Sequence, residues 1–345
     1  MVRLKDIALR AGVTMMTVSK ALRDAPDISA ATKARIRVLA EQMGYTPDSL
    51  ARSLRSRQSK LFGLVISAVT NPVFARVMMA IEEQALELGY DIVFAQSLNK
   101  PDREQKVVRH LLSRRVDGLF ITPVYRLDPT AQVYEELRNR ATPVVVLGHR
   151  APFCEGFANV ETDDIAASMA ATKHLLELGH RRIAFFGGPS AVPSAQERLE
   201  GYRRALREAD IEADDRLIFN AGSTIEEGEK AALQLLNESP GATAVQAVND
   251  LVAIGAASVF LGQGLQIPRD LSLVGFGNVL VSEHFRVPLT TIRQPKLRLG
   301  SAAMELMLKL LRGEPPSTKR LPAEIIIRQS SGPPPAPQSL PPNQP

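Results

Sequence analysis

The sequence predicts an all-α headpiece followed by two α/β lobes, each built on a doubly wound parallel sheet. Three observations carry this. The stretch Leu4–Arg23 has apolar residues at helical spacing, interrupted once by Gly12. From Leu61 onward, short apolar runs of parallel-strand character alternate with amphipathic stretches, in two series of similar length. The positive charge sits at one end: residues 1–60 hold twelve Lys and Arg against five Asp and Glu, so +7 in a chain whose net charge is +5, leaving −2 for the remainder. That is the balance of a nucleic-acid-binding head on a neutral body.

Leu4, Ile7, Ala8 and Ala11 share one helical face, and Gly12 stops that helix in a left-handed turn. Thr14 caps a second helix. Rotation by 100° per residue puts Met15, Val18, Ala21 and Leu22 on its core side, with Met16, Ser19, Lys20 and Arg23 on the other. Two short helices joined by a tight glycine turn form a helix-turn-helix, whose second helix enters the DNA major groove. A third helix runs from its cap Ser29 to Met43, turning Ile36, Leu39, Ala40 and Met43 inward, and Gly44 closes it. The headpiece is thus residues 1–46. Residues 47–60 start a helix at Pro47 too short to stand alone, so they form a hinge helix and linker that orders beside a partner.

Strands follow at 61–67, 90–95, 118–121 and 143–147, separated by helices near 72–88, 102–114 and 130–140. The second series has strands at 182–186, 217–219, 244–248 and 271–276, with helices near 163–178, 195–209, 225–238 and 250–264. Late elements at 290–292, 296–311 and 323–327 complete the two sheets. This assigns 61–331 to one domain, with lobe 1 at about 61–160 and 290–320 and lobe 2 at about 161–289 and 321–331. A ligand belongs in the cleft between the lobes, at the carboxyl ends of the strands. The proline-rich tail 332–345 is expected to be disordered.

The single cysteine, Cys154, excludes an intramolecular disulfide, and no apolar run approaches membrane-spanning length, which places the chain in the cytoplasm with no membrane partner. His174 and His180 lack metal-like neighbours, and Asp163 and Asp164 read as helix caps. Gly187-Gly-Pro189 matches no phosphate loop. No nucleophile, base and oxyanion donor assemble, so the chain is read as no enzyme, with no cofactor and no metal.

In order and spacing, Lys5-Asp-Ile-Ala-Leu-Arg-Ala-Gly-Val13, Thr17-Val-Ser19, Met43-Gly-Tyr-Thr-Pro47 and Leu50-Ala-Arg-Ser-Leu54 resemble the LacI/GalR family of bacterial transcription regulators. So do Asn71-Pro-Val-Phe74, Val116-Asp-Gly118, Leu178-Gly-His-Arg-Arg-Ile183, Asn249-Asp250 and Pro288-Leu-Thr-Thr-Ile-Arg-Gln294, and the resemblance covers about residues 3–330. It implies a periplasmic-binding-protein-like effector domain behind the headpiece. It also implies a cytoplasmic homodimer that reads a palindromic operator in double-stranded DNA, a repressor under allosteric control by a small molecule.

The resemblance implies DNA contacts from Lys5, Thr14, Met15, Met16, Thr17, Ser19, Lys20, Arg23, Ser29, Ala51, Leu54 and Arg55, with Leu54 wedged into a minor-groove base step. Met15 lies near the core face of its helix, which favours Met16 and Lys20 as base readers. The effector contacts it implies are Asn71, Phe74, Thr122, Gly148, Arg150, Arg198, Ser223, Asn249, Gly277 and Gln294. Gly148 and Gly277 stand where sugar-binding members often carry aspartates, and Ser223 where an aromatic would stack. With Arg198 kept and His149 and Arg150 beside Gly148, the cleft is expected to be positive. The effector is then a sugar, a sugar acid or a related metabolite, with an anion held bidentately by Arg198 favoured.

Overall fold

The structure, a computed structural model, describes residues 2–45, 59–238 and 240–335. The expected hinge helix, with Ala51, Leu54 and Arg55, lies outside the described residues. The chain divides into two compact units, Met1–Ser59 and Lys60–Pro345.

In the first unit, α1 (Leu4–Ala11), α2 (Met15–Leu22) and α3 (Ala30–Gln42) enclose Ile7, Ala8, Ala11, Val18, Ala21, Ile36 and Ala40. Gly12 ends α1 at φ +64°, a conformation open to glycine at little cost. Thr14 caps α2 by accepting the Thr17 N–H at 3.1 Å, and Ser29 caps α3 by accepting that of Thr32 at 3.3 Å. Arg35 donates to the Ala11 carbonyl at 3.1 Å, tying α3 to the end of α1.

The second unit contains two six-stranded sheets. The first comprises β1 (Leu61–Ile66), β2 (Asp91–Gln96), β3 (Gly118–Ile121), β4 (Val144–Leu147), β5 (Ala158–Thr162) and β11 (Thr318–Leu321), all parallel, in the order β11-β5-β4-β3-β1-β2. Its helices are α4 (Pro72–Glu87), α5 (Pro101–Ser113), α6 (Gln132–Asn139) and α12 (Lys296–Leu311). Side chains alternate along the strands: Phe62, Leu64 and Ile66 pack with α4 and α12, while Val65, Leu119 and Ile121 pack with α5 and α6. Burial on both faces explains the continuous apolar runs.

The second sheet comprises β6 (Ile183–Gly187), β7 (Ile218–Asn220), β8 (Ala244–Ala247), β9 (Ser272–Gly277), β10 (Thr290–Arg293) and β12 (Glu324–Ile326), ordered β12-β10-β9-β8-β6-β7. Only β12 is antiparallel to its neighbour. One face packs α9 (Ile225–Glu238) and α10 (Asp250–Gly262), the other α7 (Asp164–Glu177) and α8 (Pro193–Glu208). A short helix, α11 (Leu280–His284), follows β9. Among the described residues no helix is long and apolar enough to cross a membrane.

The chain crosses between sheets after β5, β10 and β11. Two expectations are corrected here. The strand at 290–293 belongs to the second lobe, because Thr290–Arg293 pairs in parallel with Val274–Gly277; the return to the first lobe begins only with α12. Nor is the chain free from Gly332: its N–H donates to Ser272 Oγ at 3.0 Å, its carbonyl lies 2.8 Å from His180 Nε2, and Pro334 reaches Gly179. Residues 336–345 lie outside the described residues.

Candidate functional site

Two surfaces carry the chemistry. The first is the outer face of α2. Val18 and Ala21 are fully buried, whereas Met15 and Met16 are 57% and 60% exposed, side by side at the start of the helix. This corrects the placing of Met15 near the core: as the first helical residue it lies ahead of the turn that packs on α1 and α3. Lys20 is four residues beyond Met16 on the same face. Its ammonium is paired with Asp27, 2.5 Å away, which holds that carboxyl below its usual range. Arg23 bends back to the Ser19 carbonyl at 3.0 Å, and the Thr14 and Thr17 hydroxyls meet at 3.0 Å. Lys5 and Ser29 are exposed on neighbouring helix starts.

The second surface is a cavity of about 410 Å³ between the two lobes of the second unit. It brings together Asn71, Phe74, Thr122, Gly148, Arg198, Ser223, Asn249 and Gln294, but not Arg150 or Gly277. Arg150 is exposed and turns to the Phe157 carbonyl. Gly277 is buried, and its carbonyl accepts from the Lys296 ammonium. Gly148 adopts φ +127°, and a Cβ there would stand 2.9 Å from the Tyr125 hydroxyl. An aspartate is therefore strained at this position, and Tyr125 supplies the nearby polar atom.

Most polar groups of the wall are already engaged. Asn71 caps α4 through the Val73 N–H at 3.1 Å, and Asn249 caps α10 through that of Val252 at 2.8 Å. Gln294 donates to Thr162 Oγ1 at 3.0 Å. Asp250 is fully enclosed, accepting from Thr291, Ser282 and the Val279 N–H, and burial pushes its carboxyl up. Arg198 donates through Nη1 to the Val248 carbonyl at 2.6 Å and through Nη2 to Asp164 Oδ1 at 3.2 Å, its guanidinium 3.7 Å over the Phe276 ring. Asp164 opens α7 but does not cap it; Asp163 does that, through the Ala166 N–H. Among the described residues the buried side-chain N and O atoms lacking a partner are Thr122 Oγ1 and Arg198 Nε. Both residues line this cavity, one from each lobe.

The expectation of a positive cleft is corrected by carboxylates in and beside the same wall. Asp164 and Glu161 also line the wall, and Glu197 stands beside His149. His149 Nε2 and one oxygen each of Asp164 and Glu197 lie within 4.8 Å of one another, a spacing that could hold a metal ion. Arg198 and Arg320 bring two guanidinium charges to the same carboxylates, so the protein answers their charge itself.

Comparisons with known proteins agree in extent. The model for bacterial regulatory proteins of the lacI family matches residues 3–48, and that for a periplasmic binding protein-like domain matches 172–331. The chain is 33% identical over 330 residues, 95% of its length and 96% of the relative's, to the HTH-type transcriptional repressor CytR of Escherichia coli (strain K12). It is 31% identical to the HTH-type transcriptional regulator GalR of the same organism, covering 96% of each chain. The lac repressor dimer bound to operator and the anti-inducer ONPF superposes with TM-score 0.83 at 27% identity, covering 96% of this chain and 99% of that one. The CelR–cellobiose complex does so with TM-score 0.74 at 28% identity, covering 96% and 100%.

Proposed function

The chain belongs to the LacI family of bacterial regulatory proteins, and on that premise we propose that it represses transcription as a homodimer on a palindromic operator, under control of an uncharged small polar effector. It is a DNA-binding regulator and not an enzyme. The exposed Met15–Met16 edge and Lys20 read bases: the methionines by apolar contact with thymine methyls, the lysine by donating to guanine O6 and N7. Two headpieces related by a twofold axis match two half-sites, about 34–36 Å apart or a multiple of this.

One observation carries the effector reading: the two unpartnered buried polar atoms, Thr122 Oγ1 and Arg198 Nε, belong to residues that line one cavity from opposite lobes. A buried donor without an acceptor costs about 1–3 kcal/mol, which a bound molecule removes. Because Asp164 already answers the Arg198 charge, the group that reaches Nε is a neutral acceptor such as a hydroxyl, ether or carbonyl oxygen. The volume suits a compact ligand, and Phe74 and Phe276 give it apolar walls. The neighbours that hold ligands point the same way, CelR with cellobiose and an Enterococcus faecium relative with ribose. Binding that favours one lobe arrangement shifts DNA affinity reciprocally, on a scale of about 1–3 kcal/mol.

The test is a thermal-shift panel of neutral sugars, nucleosides and their carboxylated counterparts. A ligand at about a hundred times its Kd stabilises by about 2.7 kcal/mol. Stabilisation by neutral compounds is expected; stabilisation by the carboxylates alone would overturn the uncharged-effector reading.

A further inference from the structure

Tyr125 stands on the first lobe, in the segment that follows β3, and the four residues Thr122 to Tyr125 all line the cavity. The segment has no helix or strand of its own, yet it is pinned from behind. Glu104, fully buried on α5, accepts the Val124 N–H at 2.7 Å and the Tyr134 hydroxyl at 2.8 Å, and it pairs with the Arg126 guanidinium. Arg126 Nε donates in turn to the Val124 carbonyl at 2.9 Å. Both backbone polar groups of Val124 are thereby satisfied, which fixes its neighbours in the wall.

The Tyr125 hydroxyl has one proton and donates it to the His149 carbonyl at 2.7 Å. Toward anything else its oxygen only accepts. It lies beside Gly148, another residue of the wall, whose N–H donates to the Val160 carbonyl at 2.8 Å and whose carbonyl accepts from Asn159 Nδ2 at 3.1 Å. A Cβ at 148 would stand 2.9 Å from the phenol oxygen. A side chain there and the phenol in its present place exclude one another, and glycine leaves the room to the phenol.

The two lobes therefore offer different chemistry. On the second, the unpartnered Arg198 Nε only donates; on the first, the unpartnered Thr122 Oγ1 donates or accepts, and the Tyr125 oxygen accepts. A molecule that spans the cavity needs an acceptor for one lobe and a donor for the other.

We propose that Tyr125 is a specificity-determining residue of the effector site, its oxygen accepting a hydrogen bond from a hydroxyl or N–H of the effector. This rests on the uncharged-effector reading and adds a demand to it: neutral molecules that only accept, such as ethers, esters and ketones, are rejected. A site built around a hydroxyl discriminates against the analogue lacking it, because a buried polar atom of the site is then left unpaired.

The experiment measures Kd by calorimetry on the full-length chain for ribose, cellobiose, adenosine and uridine, each beside analogues lacking one hydroxyl. For a compound that binds the parent, removal of one particular hydroxyl is expected to weaken binding about tenfold. In Tyr125→Phe the complete compound should bind about tenfold more weakly, and the penalty for removing that one hydroxyl should vanish, with the penalties at other hydroxyls kept. A ratio of affinities within one variant is independent of how stably that variant folds. Thr122→Val is expected to erase a penalty at a different hydroxyl. An unchanged pattern of penalties in Tyr125→Phe, or a uniform loss for the complete compound and all its analogues, would overturn the assignment of Tyr125 and leave the uncharged-effector reading standing. Binding of the carboxylated counterparts alone by the parent would overturn that reading, and the assignment with it.

Discussion

Arg198 and Asp164 meet inside the second lobe at 3.2 Å, so the cationic group that faces the cavity has its counter-charge before any ligand arrives. Asp164 is fully buried, and burial pushes its carboxyl up despite Arg198 and His149. Asp164→Asn keeps the shape and removes the counter-charge. It is expected to cost on the order of 3 kcal/mol in denaturant unfolding, because Arg198 is left buried without its anion. It should also move ligand preference in the thermal-shift panel toward carboxylates.

Gly201 lets α7 and α8 approach closely enough to hold that pair. A Cβ there would stand 2.4 Å from the Ile165 carbonyl oxygen and 2.8 Å from Ser168 Cβ. Gly201→Ala is therefore expected to destabilise by about 1–3 kcal/mol and to weaken effector binding, read by unfolding and by calorimetry.

Lys20 and Asp27 form a pair 39% and 52% exposed. Solvent screens an exposed pair of this kind, so its loss is expected to leave folding stability little changed. Lys20→Ala is expected to cost about 1–3 kcal/mol at one base pair of each half-site. Asp27→Asn frees the ammonium and should tighten binding to unrelated DNA. An equal loss on operator and random DNA in Lys20→Ala would assign the lysine to phosphate instead.

Lys296 opens α12 on the first lobe and donates to the Gly277 and Asn278 carbonyls of the second, bridging the crossing between lobes. Burial pushes its pKa down to about 8, partly offset by Asp250. The unfolded chain keeps the ordinary value of 10.5, so between these values it binds more protons than the folded one, and stability rises with pH. Below about pH 8 that gain is lost. Lys296→Met is expected to remove this rise, as seen in unfolding free energies from pH 8 to 10.5.

Most elements were legible because a strand buried on both faces must be apolar throughout and a core-facing helix must repeat at helical spacing. The exceptions are instructive. Strand β5 reads as polar because Asn159, Glu161 and Thr162 are buried there, satisfied by Gly148, Thr318, Arg320 and Gln294, which are distant in sequence. Strand β11, exposed along half its length, carries no apolar run at all. In an eight-residue helix, angle alone could not show that Met15 precedes the packed turn. Glu197 was invisible as a site residue, since its partners lie 48 and 123 residues away and nothing in its own neighbourhood announces them. Arg198, by contrast, lay in a recognisable motif, but the group that neutralises it did not.

The exposed edge of α2, Met15, Met16 and Lys20, is proposed to read a DNA sequence. The most direct test is selection from a random DNA pool by the full-length protein, beside the Met16→Ala and Lys20→Ala variants. Enrichment of one palindrome by the parent is expected, with relaxed preference at particular half-site positions in each variant. Enrichment of no sequence by the parent, at low salt and with the stabilising effector both absent and present, would contradict it.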